Sequence, residues 1–413
     1  MKNKLLYSYY VLAVLWLVML LRMVDLQIIS VLFPGIKAEF GFSDTQLGMI
    51  SGLSFSLFYS LMGIPIAYLL DRKNRTTIMS VCLGLWSTMT AACGLVTGFF
   101  TFFLSRIGVG IGEAGAYPSS VSIASEYFPP EKRAKVYSIL ASTTPLGVLV
   151  SFVLGGWISA NYGWRAAFLA VGIPGLLLTL LVKFTIKEPP RESTAAREPF
   201  LTTVKELWKK KDFCWTIAAS AFTVMAATGS GMWMASYFMR VHEVSTTSAG
   251  LLMGLMYGIG GMVGVLSGTW MAEKLVTKLG DKARLWVSIA SVLGVIPFAV
   301  LMFTAGSFPI AIAALSFIIV SMHMNIGIVT NIEQRAVGPD RRAMGQASHV
   351  LVTNLIGLSL GPIIVGYFSD VFTPLVGPAA LGYSILGIYA FGYTMAAACF
   401  YAASRALKSG TAS

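Results

Sequence analysis

Charge is scarce in this sequence: Asp, Glu, Lys and Arg make up 12% of its 413 residues, against about 25% in an ordinary soluble domain. That excludes a solvated globular chain. Acids are the scarcer sign, 18 against 30 basic residues, and the formal charge is +12. The basic residues are scattered through short connections and do not cover one soluble face, so nucleic acid is not the expected partner. Cys82, Cys93, Cys214 and Cys399 lie in or at the edge of apolar runs, without a CxxC spacing or a histidine partner. Neither a disulfide framework nor a metal site is expected. No Ser-His-Asp arrangement, His-rich cluster or phosphate loop occurs, and the glycine-spaced run near residue 110 follows no strand. Nucleotide binding and lipid-modifying catalysis are therefore set aside, and no cofactor is expected.

What the sequence has in abundance is long apolar runs. Hydrophobic residues make up 56% of it, and the mean hydropathy is +0.75. Windows of about 20 apolar residues, enough to cross a bilayer, fall near 8–33, 46–70, 77–97, 99–122, 136–159, 164–186, 214–239, 248–271, 285–304, 308–331, 345–368 and 378–403. This is an all-α membrane protein with twelve expected spans. Lys2 and Lys4 lead into the first span with no small-residue cleavage site, the pattern of an uncleaved first helix. The one long polar interruption divides the chain into a six-helix half at 1–186, a linker at 187–213 and a second half at 214–413. Thr203 to Lys211 reads as a short amphipathic helix at the membrane surface.

With the N-terminus placed in the cytoplasm, 25 of the 30 basic residues fall in the tails and cytoplasmic loops. Lys37, Arg165 and Arg240 fall outside, while Arg22 and Arg106 lie within spans. By the positive-inside rule both termini are cytoplasmic, in what reads as a bacterial inner membrane. The halves also resemble each other. Ser43-Asp44-Thr45-Gln46-Leu47-Gly48 aligns at an offset of 202 with Ser245-Thr246-Thr247-Ser248-Ala249-Gly250, and Asp71-Arg72 aligns with Glu273-Lys274. Pro130-Glu131-Lys132-Arg133-Ala134 matches Pro339-Asp340-Arg341-Arg342-Ala343 at an offset of 209. Such parallel repeats are the plan of carriers that rock around a central site.

Four charges lie well inside the spans: Arg22, Asp25, Arg106 and Glu113. Each costs at least about 2.5 to 3.5 kcal/mol at bilayer depth and persists mainly where it serves transport or a proton relay. Arg106 and Glu113 project from one face of the fourth span, while Gly108, Gly112 and Gly115 lie on the opposite face, open to a neighbouring helix. With both acids ionised the four cancel. A proton on either leaves a positive excess, so these residues are the proton-coupling candidates. Asp71, Arg72, Arg75, Arg133, Glu273 and Arg342 sit at cytoplasmic helix ends and are candidates for a conformational latch. The second half shows no clear intramembrane charge. Its polar candidates include Thr223, Thr228, Ser230 and Tyr257, with Trp233, Tyr237, His323, Asn325 and Asn354 joined to Tyr59 and Tyr117 of the first half as substrate-binding candidates.

Several motifs carry a family resemblance. Asp71-Arg72-Lys73-Asn74-Arg75 after the second span and Arg106 to Gly112 in the fourth resemble the major facilitator superfamily. Arg106-Ile107-Gly108-Val109-Gly110-Ile111-Gly112-Glu113-Ala114-Gly115, Glu126-Tyr127-Phe128-Pro129-Pro130-Glu131-Lys132-Arg133 and Asp25 are similar to its spinster branch. The chain departs from that pattern at Ala67, where a glycine is usual four residues before the acid, and at Asp25-Leu26, where Asp-Arg is usual. Arg22, one turn earlier, is the available arginine. The resemblance implies a proton-coupled carrier of amphiphiles such as lysophospholipid or sphingoid lipids, working as a monomer. A carrier of small organic anions or drugs, with Arg22 or Arg106 holding a carboxylate, is the alternative.

Overall fold

Where hydrocarbon surrounds the backbone, every N–H and C=O must be satisfied within the segment, so long apolar runs without barrel alternation fold as helices. The computed structural model describes residues 2–189, 206–280, 282–337 and 342–406, and among them all regular structure is helical. In chain order the spans are α1 (Lys2–Phe40), α2 (Asp44–Arg72), α3 (Arg75–Cys93), α4 (Phe99–Glu113, resumed as Ala116–Tyr127), α5 (Pro130–Tyr162) and α6 (Trp164–Thr185). They continue as α7 (Lys211–Val241), α8 (Thr246–Lys278), α9 (Lys282–Thr304), α10 (Phe308–His323, resumed as Asn325–Val337), α11 (Arg342–Val352, resumed as Ser359–Val376) and α12 (Ala380–Ala406). Ten stretches are long and apolar enough to cross a membrane; the last, Met344–Ala406, contains both α11 and α12. The break at Ala114-Gly115 keeps α4 out of that ten. Arg191, Arg197, Lys205, Arg341 and Lys408 lie outside the described residues, as do residues 203–205 of the surface helix expected before α7.

The chain forms two compact units: Met1–Ala195 with Phe238–Gly254, and Ala196–Tyr237 with Leu255–Ser413. In the first, α3 packs on α6, α1 on α5, and α4 between α2 and α3. In the second, α9 packs on α12, and α10 between α8 and α9. The α7–α11 contact, which corresponds to α1–α5, is close enough that a Cβ on Gly229 would stand 2.8 Å from the Gly361 carbonyl oxygen. The packing order thus repeats six helices later. The repeat reaches individual hydrogen bonds. Ser43 Oγ accepts from the Gln46 N–H at 3.1 Å, and Ser245 Oγ accepts from the Ser248 N–H at 3.2 Å, the same cap at the same 202-residue offset. Each of α2 and α8 also carries one π-helical turn, at Met49–Leu53 and Met256–Gly260.

Hydrophobic burial cannot press helices together inside lipid, so small residues that allow close approach do that work. The glycine face of α4 lies against α3: a Cβ on Gly112 would stand 2.7 Å from the Trp86 backbone nitrogen and 2.8 Å from the Cys82 carbonyl oxygen. On the outer surface, large apolar side chains such as Leu104, Leu177, Phe184, Leu266 and Leu375 are exposed, as suits a lipid-facing shell. Gly112→Ala should push α4 from α3 and destabilise the fold by about 1–3 kcal/mol. Thermal unfolding in detergent is the measurement, and an unchanged midpoint would refute the close contact.

Candidate functional site

The charged network is built from α1, α2, α3 and α4 of the first unit. Arg22 and Asp25 lie three residues apart on α1, and hence on one face. Arg106 and Glu113 lie two turns apart on α4, turned toward α1 because the glycines of α4 occupy the side facing α3. Asp25, Arg106 and Glu113 are fully buried. Two ion pairs result. Arg106 Nη1 donates to Asp25 Oδ1 at 3.4 Å, and Arg22 Nε faces Glu113 Oε2 at 3.3 Å. The Thr90 hydroxyl of α3 donates to the other Asp25 oxygen. Its position could have been guessed from no pattern in the sequence, since an interior threonine usually bonds its own helix.

The two pairs differ in character. Arg106 and Asp25 have no exposed surface, and the Arg106 guanidinium lies 5.4 Å from the centre of the Phe55 ring. The Arg22 side chain keeps 13% of its surface exposed and donates from Nη2 to the Tyr59 hydroxyl at 3.3 Å. Neither Glu113 oxygen has a hydrogen-bond partner. Glu113 is also the last residue before the helix break at Ala114-Gly115. One pair is a sealed anchor, and the other has one member partly exposed and one held only by charge.

Of the substrate-binding candidates, Tyr59 touches Arg22, and Tyr117, in the same unit, is largely exposed. Trp233 is buried and its indole N–H donates to the Pro362 carbonyl at 3.0 Å; Tyr237 packs edge-on against Phe303. His323 Nδ1 sits 2.8 Å from the Ile319 carbonyl of its own helix, with its ring against that of Tyr257. Asn325 is buried with its amide nitrogen unpartnered, and the Asn354 carbonyl accepts from Ser359 within the π turn of α11. The apolar groove lined by Leu17, Leu21, Val24, Leu154, Pro174 and Leu177 contains no charged group.

Among the latch candidates, Arg75 joins elements far apart in the chain. It is buried and bonds Glu126 at 3.2 Å, Glu188 at 3.1 Å, the Ser122 hydroxyl at 3.1 Å and the Pro189 carbonyl at 3.2 Å. Arg133 instead donates to the Ser125 and Phe128 carbonyls, closing the turn between α4 and α5. Arg72 stacks on Tyr68, Asp71 and Glu273 are exposed, and the side chain of Arg342 lies outside the described residues. Sequence reading missed three acids. Glu188 and Glu126 complete the Arg75 site, and buried Asp44 is held by Lys37 at 2.6 Å and by Arg240 at 2.6 and 2.8 Å. Arg240 closes α7, yet it belongs to the first unit with residues 238–254.

The sequence profile described as Major Facilitator Superfamily matches residues 15–362. The chain belongs to the major facilitator superfamily. It is therefore a membrane transporter and not an enzyme. An MFS-type efflux pump of Mycolicibacterium smegmatis is 31% identical over 397 residues, 95% of this chain and 91% of that one. The sphingosine-1-phosphate transporter of Danio rerio is 26% identical over 81% of this chain and 71% of its own. A crystal structure of a bacterial homologue of the human lysosomal transporter Spinster, inward-facing and unoccupied, superposes with a TM-score of 0.87 at 28% identity, covering 97% of each chain. This transporter is thus related to spinster-type proteins, as its fourth-span motif resembles them.

The Arg75 site yields a pH test. Burial opposes ionisation of Glu188, but bonds from the Thr76 and Arg75 N–H groups and the Arg75 guanidinium outweigh it and hold the carboxyl below its ordinary 4.5. A depressed carboxyl stabilises the fold fully above its unfolded value, and that contribution is lost as the pH falls through the folded one. Glu188→Gln should therefore unfold at a lower temperature than wild type at pH 7, with the gap closing as the pH drops below 4.5. A gap that stays constant across that range would exclude the ionised bond.

Proposed function

We propose that this transporter couples proton movement to the passage of an amphipathic molecule of the lysophospholipid or sphingoid type, by alternating access of two six-helix halves joined by the linker at 187–213. The observation that carries this reading is the pairing of half-open Arg22 with sealed Glu113. When Glu113 is ionised it holds Arg22, and the four charges sum to zero. A proton on Glu113 removes its charge and releases Arg22, leaving one positive charge beside Tyr59 and Tyr117. An anionic headgroup such as a phosphate restores neutrality there, and arginine suits it because its fork matches phosphate geometry. Arg106 does not take this role, since it is fully buried and paired with Asp25. Proton and anion thus enter together at no net charge, the combination a low-dielectric site favours.

The 26% identity to a sphingosine-1-phosphate transporter supports a lipid cargo, as do the aromatic residues beside Arg22. The 31% identity to an efflux pump supports the second reading, a carrier of small organic anions or drugs using the same arginine. In both, the protein acts as a monomer in a bacterial inner membrane with its termini in the cytoplasm, and Arg75 with Glu126 and Glu188 serves as the cytoplasmic latch.

Uptake into proteoliposomes under an imposed pH gradient tests coupling and cargo together. One proton per substrate lets a gradient of one pH unit sustain about a tenfold concentration ratio. Wild type should reach that ratio with lysophospholipids or sphingoid phosphates. Glu113→Gln should abolish accumulation while retaining exchange at equal pH, and Asp25→Asn should impair both. Full accumulation by both variants would remove the proton from the mechanism. Accumulation of small organic acids with no lysolipid flux would decide for the second reading.

A further inference from the structure

The second unit contains a titratable pair that the charge pattern of the sequence did not expose. Glu333 lies on α10, which runs as helix to Val337, and is 4% exposed. His349 of α11 places Nδ1 at 2.8 Å from Glu333 Oε1, and the Ser220 hydroxyl of α7 reaches the same oxygen at 3.2 Å. Three helices therefore meet on one carboxylate oxygen. Phe213 and Ile217 of α7, Val337 of α10 and Leu207 just before α7 pack in one buried apolar cluster.

We propose that Glu333 and His349 form a second proton-binding site, confined to the second unit, which fastens α10 and α11 to α7 when loaded. A carboxylate only accepts hydrogen bonds, so Nδ1 carries a hydrogen toward Glu333 and an incoming proton binds Nε2. Imidazole is the side chain that changes charge between pH 5 and 8. Loading takes one proton from water and turns the pair from one net negative charge to none, and the hydrogen bond to the carboxylate becomes one between opposite charges. The His349 side chain retains 22% exposure, which gives water access to the ring.

No competing ion pair is formed with either residue among the described residues. The neighbouring helices carry Lys211 and Asp212 on α7, Glu273, Lys274 and Lys278 on α8, and Lys282 and Arg284 on α9, all exposed or half-buried. The side chains of Arg335 and Arg342 lie outside the described residues. In the first unit Asp25 and Glu113 already face arginines, whereas Glu333 faces a histidine that needs a proton to neutralise it. It does not require Glu113 to carry a proton, and the two sites fail or stand separately.

The chain has three histidines, so ring-labelled protein in lipid nanodiscs gives three assignable NMR signals, identified by single His→Gln variants. The His349 ring signals should change with pH as Nε2 takes up its proton. In Glu333→Gln its midpoint should move toward lower pH by about one unit, a tenfold weaker hold on the proton, while His242 and His323 keep theirs and report an intact fold. Ser220→Ala should produce a smaller move in the same direction. A His349 that does not titrate, or whose midpoint is the same in Glu333→Gln, overturns the site. Amide exchange of residues 325–337 and 342–352, corrected for intrinsic rates, should slow as His349 is protonated and lose that dependence in His349→Gln. Exchange that ignores His349 in wild type overturns the fastening.

Discussion

The fold depends on the requirement that a charge placed among hydrocarbon must meet its opposite. Desolvating an ion costs several kcal/mol after relaxation, and breaking one partner away from a buried pair costs about 3–5 kcal/mol. Arg106 and Asp25 satisfy this at zero exposure, with Thr90 filling the second carboxylate oxygen, while Arg106 Nε and Nη2 have no hydrogen-bond partner among the described residues. That pair ties α1, α3 and α4 into one body. Arg22 and Glu113 satisfy it only in charge, because neither Glu113 oxygen receives a hydrogen bond. The first pair is a fastening and the second is responsive, and the difference arises from what lies around them.

Close helix approach makes the network possible. Arginine reaches an acid on the next helix only if the backbones are near, and α4 gets near α3 through Gly112, whose missing Cβ leaves room for the Trp86 backbone. The same device recurs at Gly229 and Gly361 in the second unit, where α7 meets α11. The two units share packing order, helix caps and π turns but not charge. Asp44 is held by two cations, while its counterpart at the 202-residue offset is Thr246. Duplicated scaffolds keep their packing because every repeat must bury the same backbone groups. Charges are free to diverge, since each needs only its own partner.

Much of the site was legible because charge is so scarce here. Four ionisable residues in apolar spans stand out against hydropathy, and two on one face of α4 point to a shared site. Their pairing was not legible: nothing in the spacing of Arg22, Asp25, Arg106 and Glu113 says that Arg106 takes Asp25 and Arg22 takes Glu113. Glu333 was hidden for a different reason. Asn331, Gln334 and Arg335 surround it, so hydropathy ends the tenth span at 331, although the backbone continues as helix to Val337. Arg75 stood out as one of a run of loop charges, yet its partners Glu126 and Glu188 lie 51 and 113 residues away.

The sequence alone determined that the chain is a bundle of membrane-crossing helices with an internal repeat, because hydropathy and helix length are local quantities that the bilayer reads directly. It also determined which residues carry intramembrane charge in the first half. Only the tertiary structure decided which charges neutralise each other, which arginine keeps exposed surface, and that Glu333 and His349 meet. Those outcomes depend on helix rotation and spacing, which follow from the packing of glycines and side chains far apart in the chain.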